Sequence, residues 1–166
     1  MRAIFHADRD WGIGKNNDLM FTLPKDMKFF RETTKGKVVV MGLNTLKSFP
    51  DGKPLKNRVN IVLSPEDVEE NVITVHNLQE LFAELEKYPT DDVFVIGGAS
   101  VYKLLIPYCT DVFVTKVDVS GGADTFVPNL DRQEGFRLVF ESEPQDDNGY
   151  TIRFCTYRND TPKEVI

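Results

Sequence analysis

Cysteine is scarce in this chain of 166 residues, with only Cys109 and Cys155 present. Two thiols make neither a disulfide framework nor a four-ligand zinc site, and they read as reduced thiols of a reducing compartment. Histidine is as rare: His6 and His76 lack metal-ligand spacing, so no metal is expected. Basic charge is in deficit, 20 Lys and Arg against 26 Asp and Glu, for a net charge of −6. An acidic chain without a basic run is a poor nucleic-acid binder. Any anionic ligand must be held by local donors against the overall field. No apolar run reaches membrane-spanning length, and Ala3-Ile4-Phe5 is broken by His6 and Asp8 before it could act as a signal peptide. Repeats, low-complexity segments and Pro/Ser-rich linkers are missing too. These absences predict one soluble, cytoplasmic domain over residues 1–166, with a short tail after about residue 158 and with neither nucleic-acid nor membrane partners.

What remains is ordinary in composition. With 41% hydrophobic and 28% charged residues, the chain is neither disordered nor fibrous, and this length buries roughly 70% of the unfolded surface without staples. Short apolar or β-branched runs at 2–7, 38–41, 59–63, 72–75, 93–96 and 112–117 read as strands. A continuous run such as Val38-Val39-Val40-Met41 suits a strand covered on both faces. Helical spacing joins Leu78, Leu81, Phe82 and Leu85, opened by Asn77 with Glu80 three residues on and stopped by Pro89. Further helices are expected from Pro24 and over residues 100–106, the latter ended by Pro107. Residues 136–143 and 150–158 flank the turn cluster Gln145-Asp146-Asp147-Asn148-Gly149 and read as an antiparallel hairpin. The pattern predicts an α/β domain whose mostly parallel, mixed central sheet of about eight strands is flanked by helices and closed by that hairpin. Ligands of such sheets bind at the carboxyl ends of the strands.

Several constellations could carry chemistry there. Gly97-Gly98 follows a strand and precedes a helix; it is either a tight turn or a place where a ligand meets backbone and the free N–H groups of a helix start. Met41-Gly42-Leu43-Asn44-Thr45 is a second such junction, and the pair favours a dinucleotide. Gly12-Ile13-Gly14 fails as a Rossmann fingerprint, because Asn17 replaces the third glycine and the next helix starts too late. Residues 8–23 form instead a long Gly/Asn/Asp-rich loop with exposed-looking Trp11, Leu19, Met20 and Phe21, read as a lid rather than an inert loop. Asp26 sits in a first helical turn, with Phe29 and Phe30 at i+3 and i+4. The position alone favours an acid placed by the helix dipole over a shielded carboxylate of perturbed pKa. Arg58, at a strand start, is a surface arginine or a two-pronged carboxylate clamp.

In order, Trp11-Gly12-Ile13-Gly14, Leu23-Pro24-Lys25-Asp26, Val40-Met41-Gly42 with Thr45, Arg58-Val59-Asn60-Ile61-Val62-Leu63-Ser64, Val95-Ile96-Gly97-Gly98 with Tyr102, and Asp124-Thr125 resemble the dihydrofolate reductase family. Each segment is short, but order and spacing together are specific from Ala3 to about Arg158. The resemblance implies hydride transfer from NADPH to the pteridine of 7,8-dihydrofolate, a monomeric protein, and binding of folate analogues. It also implies roles. Asp26 would bind the pteridine and promote protonation at N5, supported by the Thr115 hydroxyl. Ile4 and Ile96 would offer backbone carbonyls to the substrate's amino edge. Met27, Phe30, Phe49 and Leu55 would line its walls, and Arg58 would hold its glutamate carboxylate. For NADPH, His6 and Ala7 would lie near the carboxamide and Ile13, Gly14, Leu19 and Met20 in the lid. Gly42, Asn44, Thr45, Gly97, Gly98, Ala99, Ser100 and Tyr102 would form the pyrophosphate and nicotinamide floor. Ser64 and His76 would serve the 2′-phosphate.

The chain departs from common family patterns at Met20-Phe21, which replaces a frequent Pro-Trp pair, and at Leu43, Ser100 and Pro65, where cationic or polar residues are frequent. A related reductase of a ribosylated pyrimidine is the second enzymatic reading, disfavoured by Asp26 followed by Arg58. A non-catalytic nucleotide-binding module is the reading from another class, and an NADPH oxidation assay separates it.

Overall fold

The computed structural model describes residues 1–68 and 71–164. Six strands run parallel at its centre: β1 (Arg2–Ala7), β4 (Val38–Gly42), β5 (Val59–Leu63), β6 (Ile73–Val75), β7 (Val93–Gly97) and β8 (Asp111–Val117). β12 (Tyr150–Asn159) adds antiparallel to β8 and β10 (Phe136–Glu141) antiparallel to β12, so the order is β10-β12-β8-β1-β7-β4-β5-β6, and β11 (Gln145–Asp147) pairs on β12 as a ninth strand. The chain runs outward from β4 to β6 and returns as β7 between β4 and β1. The order therefore reverses beside β1, the kind of switch point where α/β sheets bind ligands.

Alternation along the strands separates two cores. Ala3, Phe5 and Ala7 face α3 (Leu78–Leu85) and α4 (Ala99–Leu105), whose Leu81, Phe82, Leu85, Val101 and Leu105 share that cluster. On the other face Val39, Met41 and Val62 pack with Leu46 of α2 (Leu43–Ser48). α1 (Pro24–Thr34) lies on this second face too, its Phe29 meeting Phe113 and Phe154. The expected opening of α3 is realised: the Asn77 side chain accepts from the Glu80 N–H at 2.9 Å. α1 gives way at Gly36, whose φ of +74° suits glycine. Both cysteines are buried and free, and burial pushes the Cys109 thiol up to about 12 and the Cys155 thiol up to about 11.

Two expectations need correction. The turn cluster is not all turn, since residues 145–147 form β11; only Asn148-Gly149, both at positive φ, make the reversal, and β10 joins the far end of β12. Residues 8–23 are not an open loop with four exposed apolar residues. They contain β2 (Gly12–Lys15) and β3 (Asp18–Leu19), which form a small sheet with β9 (Thr125–Phe126). Trp11 and Phe21 are buried, edge-on to Tyr157 and Tyr150 respectively, and only Leu19 is largely exposed. No described helix is long and apolar enough to cross a membrane.

Candidate active site

The strand that sends Ala3, Phe5 and Ala7 into one core turns Ile4 and His6 to the other face. His6 is in register with Thr115 of β8, so their side chains stand together on that face. The first turn of α1 lays Asp26 against them. The Thr115 hydroxyl donates to Asp26 Oδ1 at 2.6 Å, and His6 Nδ1 lies 3.1 Å from Oδ2. The carboxylate keeps 14% of its exposure and the imidazole 7%, so both are shielded from water.

What holds that first turn is remote in sequence. Leu23 occupies the N-cap and has no polar side chain to offer. The buried carboxylate of Asp147 instead accepts the N–H groups of Lys25 and Asp26, each at 3.1 Å. It satisfies two helix-start donors that would otherwise be orphaned. Around the same centre the Tyr102 hydroxyl donates to the Ile4 carbonyl at 2.8 Å. Its acidity is suppressed, first by burial and then by the negative charge of Asp26.

Toward the other end of α1, Arg58 is positioned without a carboxylate partner among the described residues. Its Nε donates to Thr34 Oγ1 at 2.8 Å and one terminal nitrogen to the Lys56 carbonyl at 2.9 Å, while the guanidinium lies over the Phe30 ring. Burial, followed by the neighbouring charge of Arg31, disfavours its cationic form relative to water. An anion arriving here would meet two guanidinium groups with donors to spare. Met27 is half-exposed on α1, and Phe49, Leu55 and Ile96 are partly buried against the second core, so apolar surface lies open beside the carboxylate.

A second region is built from backbone. β4 and β7 are adjacent, so the starts of α2 and α4 sit side by side, and neither has a side-chain cap. Gly97 and Gly98 are joined by a cis peptide. A Cβ on Gly97 would stand 3.2 Å from Thr45 Oγ1 and 3.5 Å from the Tyr102 ring, and one on Gly42 3.1 Å from Val101. These glycines let two helix starts approach as no side-chain-bearing residue would. Asn44 and Ser100 are exposed, and Ala99 and Thr45 half-buried, at this junction. At the ends of β5 and β6, His76 Nδ1 lies 2.9 Å from the Ser64 carbonyl and Nε2 3.0 Å from Asp67 Oδ1.

The dihydrofolate reductase family model matches residues 1–159. The chain is 34% identical to the dihydrofolate reductase of Bacillus subtilis over 158 residues, covering 93% of this chain and 91% of that one. It is 33% identical to the bifunctional dihydrofolate reductase-thymidylate synthase of Glycine max, of which it spans only 33%. A solved dihydrofolate reductase from Enterococcus faecalis, complexed with NADP(H) and RAB-propyl, superposes with a TM-score of 0.84 at 34% identity, over 96% of this chain and 95% of that one. This chain belongs to the dihydrofolate reductase family.

Against the family-derived expectations, the structure brings Asp26 and Thr115 together, Ile4 with Tyr102, Thr45 with Gly97 and Gly98, and Ser64 with His76. In the small sheet Gly14 pairs with Leu19 and Ile13 packs on the first core, while Met20 lies against Gly121. Ala7 turns into the core with Phe5, whereas the His6 side chain is turned to Asp26. Phe29 is turned to Phe113 and Phe154, and the side chains that meet the Asp26 carboxylate are His6 and Thr115. Asp147 was missed altogether. It lies 121 positions from the N–H it caps, inside a segment rich enough in turn residues to hide it.

Proposed function

We propose that this chain reduces 7,8-dihydrofolate to 5,6,7,8-tetrahydrofolate with NADPH, and that Asp26 promotes the protonation that accompanies hydride transfer. The observation that carries this reading is the shielded Asp26 carboxylate, fixed by Thr115 at the carboxyl ends of β1 and β8 in a member of this family. An ionised carboxylate accepts from amino and amide nitrogens, which is the edge a pteridine presents. Hydride addition to the carbon of the C6=N5 bond leaves the electron pair on N5, where a proton completes the reduction. Asp26 promotes that proton's delivery in a water-poor site, where general acid assistance is strongest.

Arg58, held by Thr34 and Lys56 and left without a carboxylate, suits the substrate's glutamate tail. Met27, Phe30, Phe49 and Leu55 supply apolar walls between it and Asp26. The Ile4 carbonyl keeps a second lone pair beside Tyr102, and Ile96 is the penultimate residue of the neighbouring strand β7, so both suit the amino edge.

The second region fits a dinucleotide. Uncapped N–H groups at two adjacent helix starts favour phosphate oxygens, and the Cβ-free surface at Gly42, Gly97 and Gly98 admits close approach. When bound, NADPH supplies the hydride. Asn44, Thr45, Ala99, Ser100 and Tyr102 would hold the cofactor beside those glycines, with His6 and Ala7 bordering it and Ile13, Gly14, Leu19 and Met20 covering it; Ser64 and His76 would reach its adenosine end. A monomer is the form the family resemblance implies, and two free buried thiols suit the cytoplasm. The test is loss of absorbance at the reduced-nicotinamide band with and without dihydrofolate. Oxidation that depends on dihydrofolate supports the reading; oxidation indifferent to it, or none, ends it.

A further inference from the structure

Asp26 is not the only ionisable side chain at this centre. His6 Nδ1 stands 3.1 Å from Asp26 Oδ2, while the Thr115 hydroxyl occupies Oδ1. A ring nitrogen and a carboxylate oxygen at that separation do not meet lone pair to lone pair, so a hydrogen lies between them. With the carboxylate ionised it is carried on Nδ1. The ring's other nitrogen, Nε2, is buried and has no protein partner. The residue is more than nine-tenths buried, its ring 6.0 Å from that of Phe21. A histidine serving only to fill space would have both nitrogens met or wet; this one is anchored at one end and free at the other.

The surrounding charges are already committed. Asp147, from β11, accepts the backbone N–H groups of Lys25 and Asp26. Tyr102, from α4, donates to the Ile4 carbonyl. The Lys25 ammonium, on α1, reaches the Asp146 carbonyl. Among the described residues His6 and Thr115 alone meet the Asp26 side chain, and of these only His6 titrates.

We propose that His6 and Asp26 form a proton-holding pair in which His6 is a positioning residue acting through Asp26. Its Nδ1–H fixes the carboxylate opposite the Thr115 hydroxyl, and its ring gives the site a second place to keep a proton without neutralising Asp26. The pair is anionic with neutral imidazole and uncharged with imidazolium. The consequence is a site that titrates in two steps rather than one. This rests on the reading of Asp26 as the group that promotes protonation of the reduced ring.

Two variants separate proton storage from mere hydrogen bonding. His6→Asn offers an amide N–H close to the position of Nδ1 but does not titrate; His6→Ala offers nothing. Single-turnover hydride transfer with NADPH and dihydrofolate is followed from about pH 5 to about pH 9, the range in which histidine titrates. Two ionisations are expected in the wild-type profile and one in each variant. At the plateau the Ala variant should be about tenfold slower than the Asn variant, the scale of a hydrogen bond to a charged group. A wild-type profile with one ionisation, superimposable on that of His6→Asn, overturns the proposal. Nitrogen-15 NMR of the His6 ring in the free protein gives a second readout, independent of turnover. Hydrogen on Nδ1 throughout, with Nε2 alone titrating, is the expected signature. A bare Nδ1 in the neutral ring overturns the pair even if the protein proves inactive on dihydrofolate, in which case the activity reading fails separately.

Discussion

The two regions of the candidate site are built by different means. Around Asp26 the work falls to side chains from six separated stretches: His6 and Thr115 on the carboxylate, Asp147 beneath the helix start, Tyr102 on the Ile4 carbonyl, and Arg58 held by Thr34. Around Gly42, Gly97 and Gly98 it falls to backbone, with two uncapped helix starts brought close because no Cβ intervenes. A backbone site tolerates side-chain change at its margins, and Leu43 and Ser100 sit there without disturbing the geometry. A side-chain network does not, because its buried polar groups depend on one another for their partners. Substitutions in the first half should therefore be costly and specific, and those at the outer edge of the second mild.

The largest effect is expected from Asp26→Asn. Removing the carboxylate proposed to promote protonation should lower turnover at neutral pH by about 10²–10⁴-fold, the usual reach of general acid–base assistance. Solvent acid should partly substitute, so the variant's rate should keep rising as pH falls. The folded state should survive, because the backbone N–H of residue 26 still has Asp147 to accept it. A variant within a few-fold of wild type in a neutral-pH assay would remove Asp26 from the mechanism and erase the contrast between the halves.

Next in size is Arg58→Leu. A charge-assisted bond contributes roughly 1.5–3 kcal/mol, so dihydrofolate affinity should drop on the order of 10–150-fold. A pterin lacking glutamate should not notice the change, and NADPH affinity should hold. Arg58→Lys should recover only part of the loss, since an ammonium cannot reproduce the planar fork over Phe30. Should NADPH binding weaken as much as dihydrofolate binding, Arg58 serves the fold or the other half.

Asp147→Ala tests the support beneath the carboxylate. Two buried N–H groups lose their acceptor, which should destabilise the protein by about 2 kcal/mol and lower Tm by roughly 4–8 °C for a domain of this size. Hydride transfer should slow as the first turn of α1 loosens. A calorimetric Tm equal to that of wild type would make Asp147 a bystander.

Asp147 also marks where the sequence stops being legible. The runs that became β1 and β5 were bounded correctly because apolar and β-branched residues dominate each of them, and the cap of α3 because Asn77 and Glu80 are three residues apart. Gly97-Gly98 and Gly42 could be singled out because a backbone site needs glycine where it needs it. Nothing local ties Asp147 to Lys25, or His6 to Asp26; such contacts exist only once β1, β8 and β11 are folded around α1. Trp11 and Phe21 looked exposed for the same reason, their covers Tyr157 and Tyr150 lying far along the chain. The small sheet did leave a trace. Asn16 and Asn17, both at positive φ between the paired Lys15 and Asp18, are residues that favour a tight hairpin turn.

The smallest effect is expected where the second half is most exposed. His76 is proposed to meet the cofactor's 2′-phosphate, and its imidazolium is favoured in the folded protein, first by the Ser64 carbonyl on Nδ1 and further by Glu80 and Asp67, with desolvation opposing. A histidine whose pKa is raised on folding binds its proton more tightly in the native state. Its stabilising contribution is complete below the unfolded value near 6.5 and disappears as pH rises through the folded one. Affinity for a phosphate should follow the same course, so preference for NADPH over NADH should be greatest in mild acid and decline above the raised pKa. Asp67, 3.0 Å from Nε2, competes for the same imidazolium face and should keep the preference to about two- to fivefold, the scale of an exposed charge pair. Asp67→Asn should widen the NADPH/NADH ratio of dissociation constants in acid, by freeing Nε2, and His76→Ala should flatten it at every pH while leaving NADH affinity nearly unchanged. Titration of both cofactors into wild type and the two variants at about pH 5.5 and about pH 8.5, on either side of histidine's range, decides the matter. A ratio that stays the same in all three proteins at both pH values would leave His76 as no more than the Asp67 partner at the edge of the sheet.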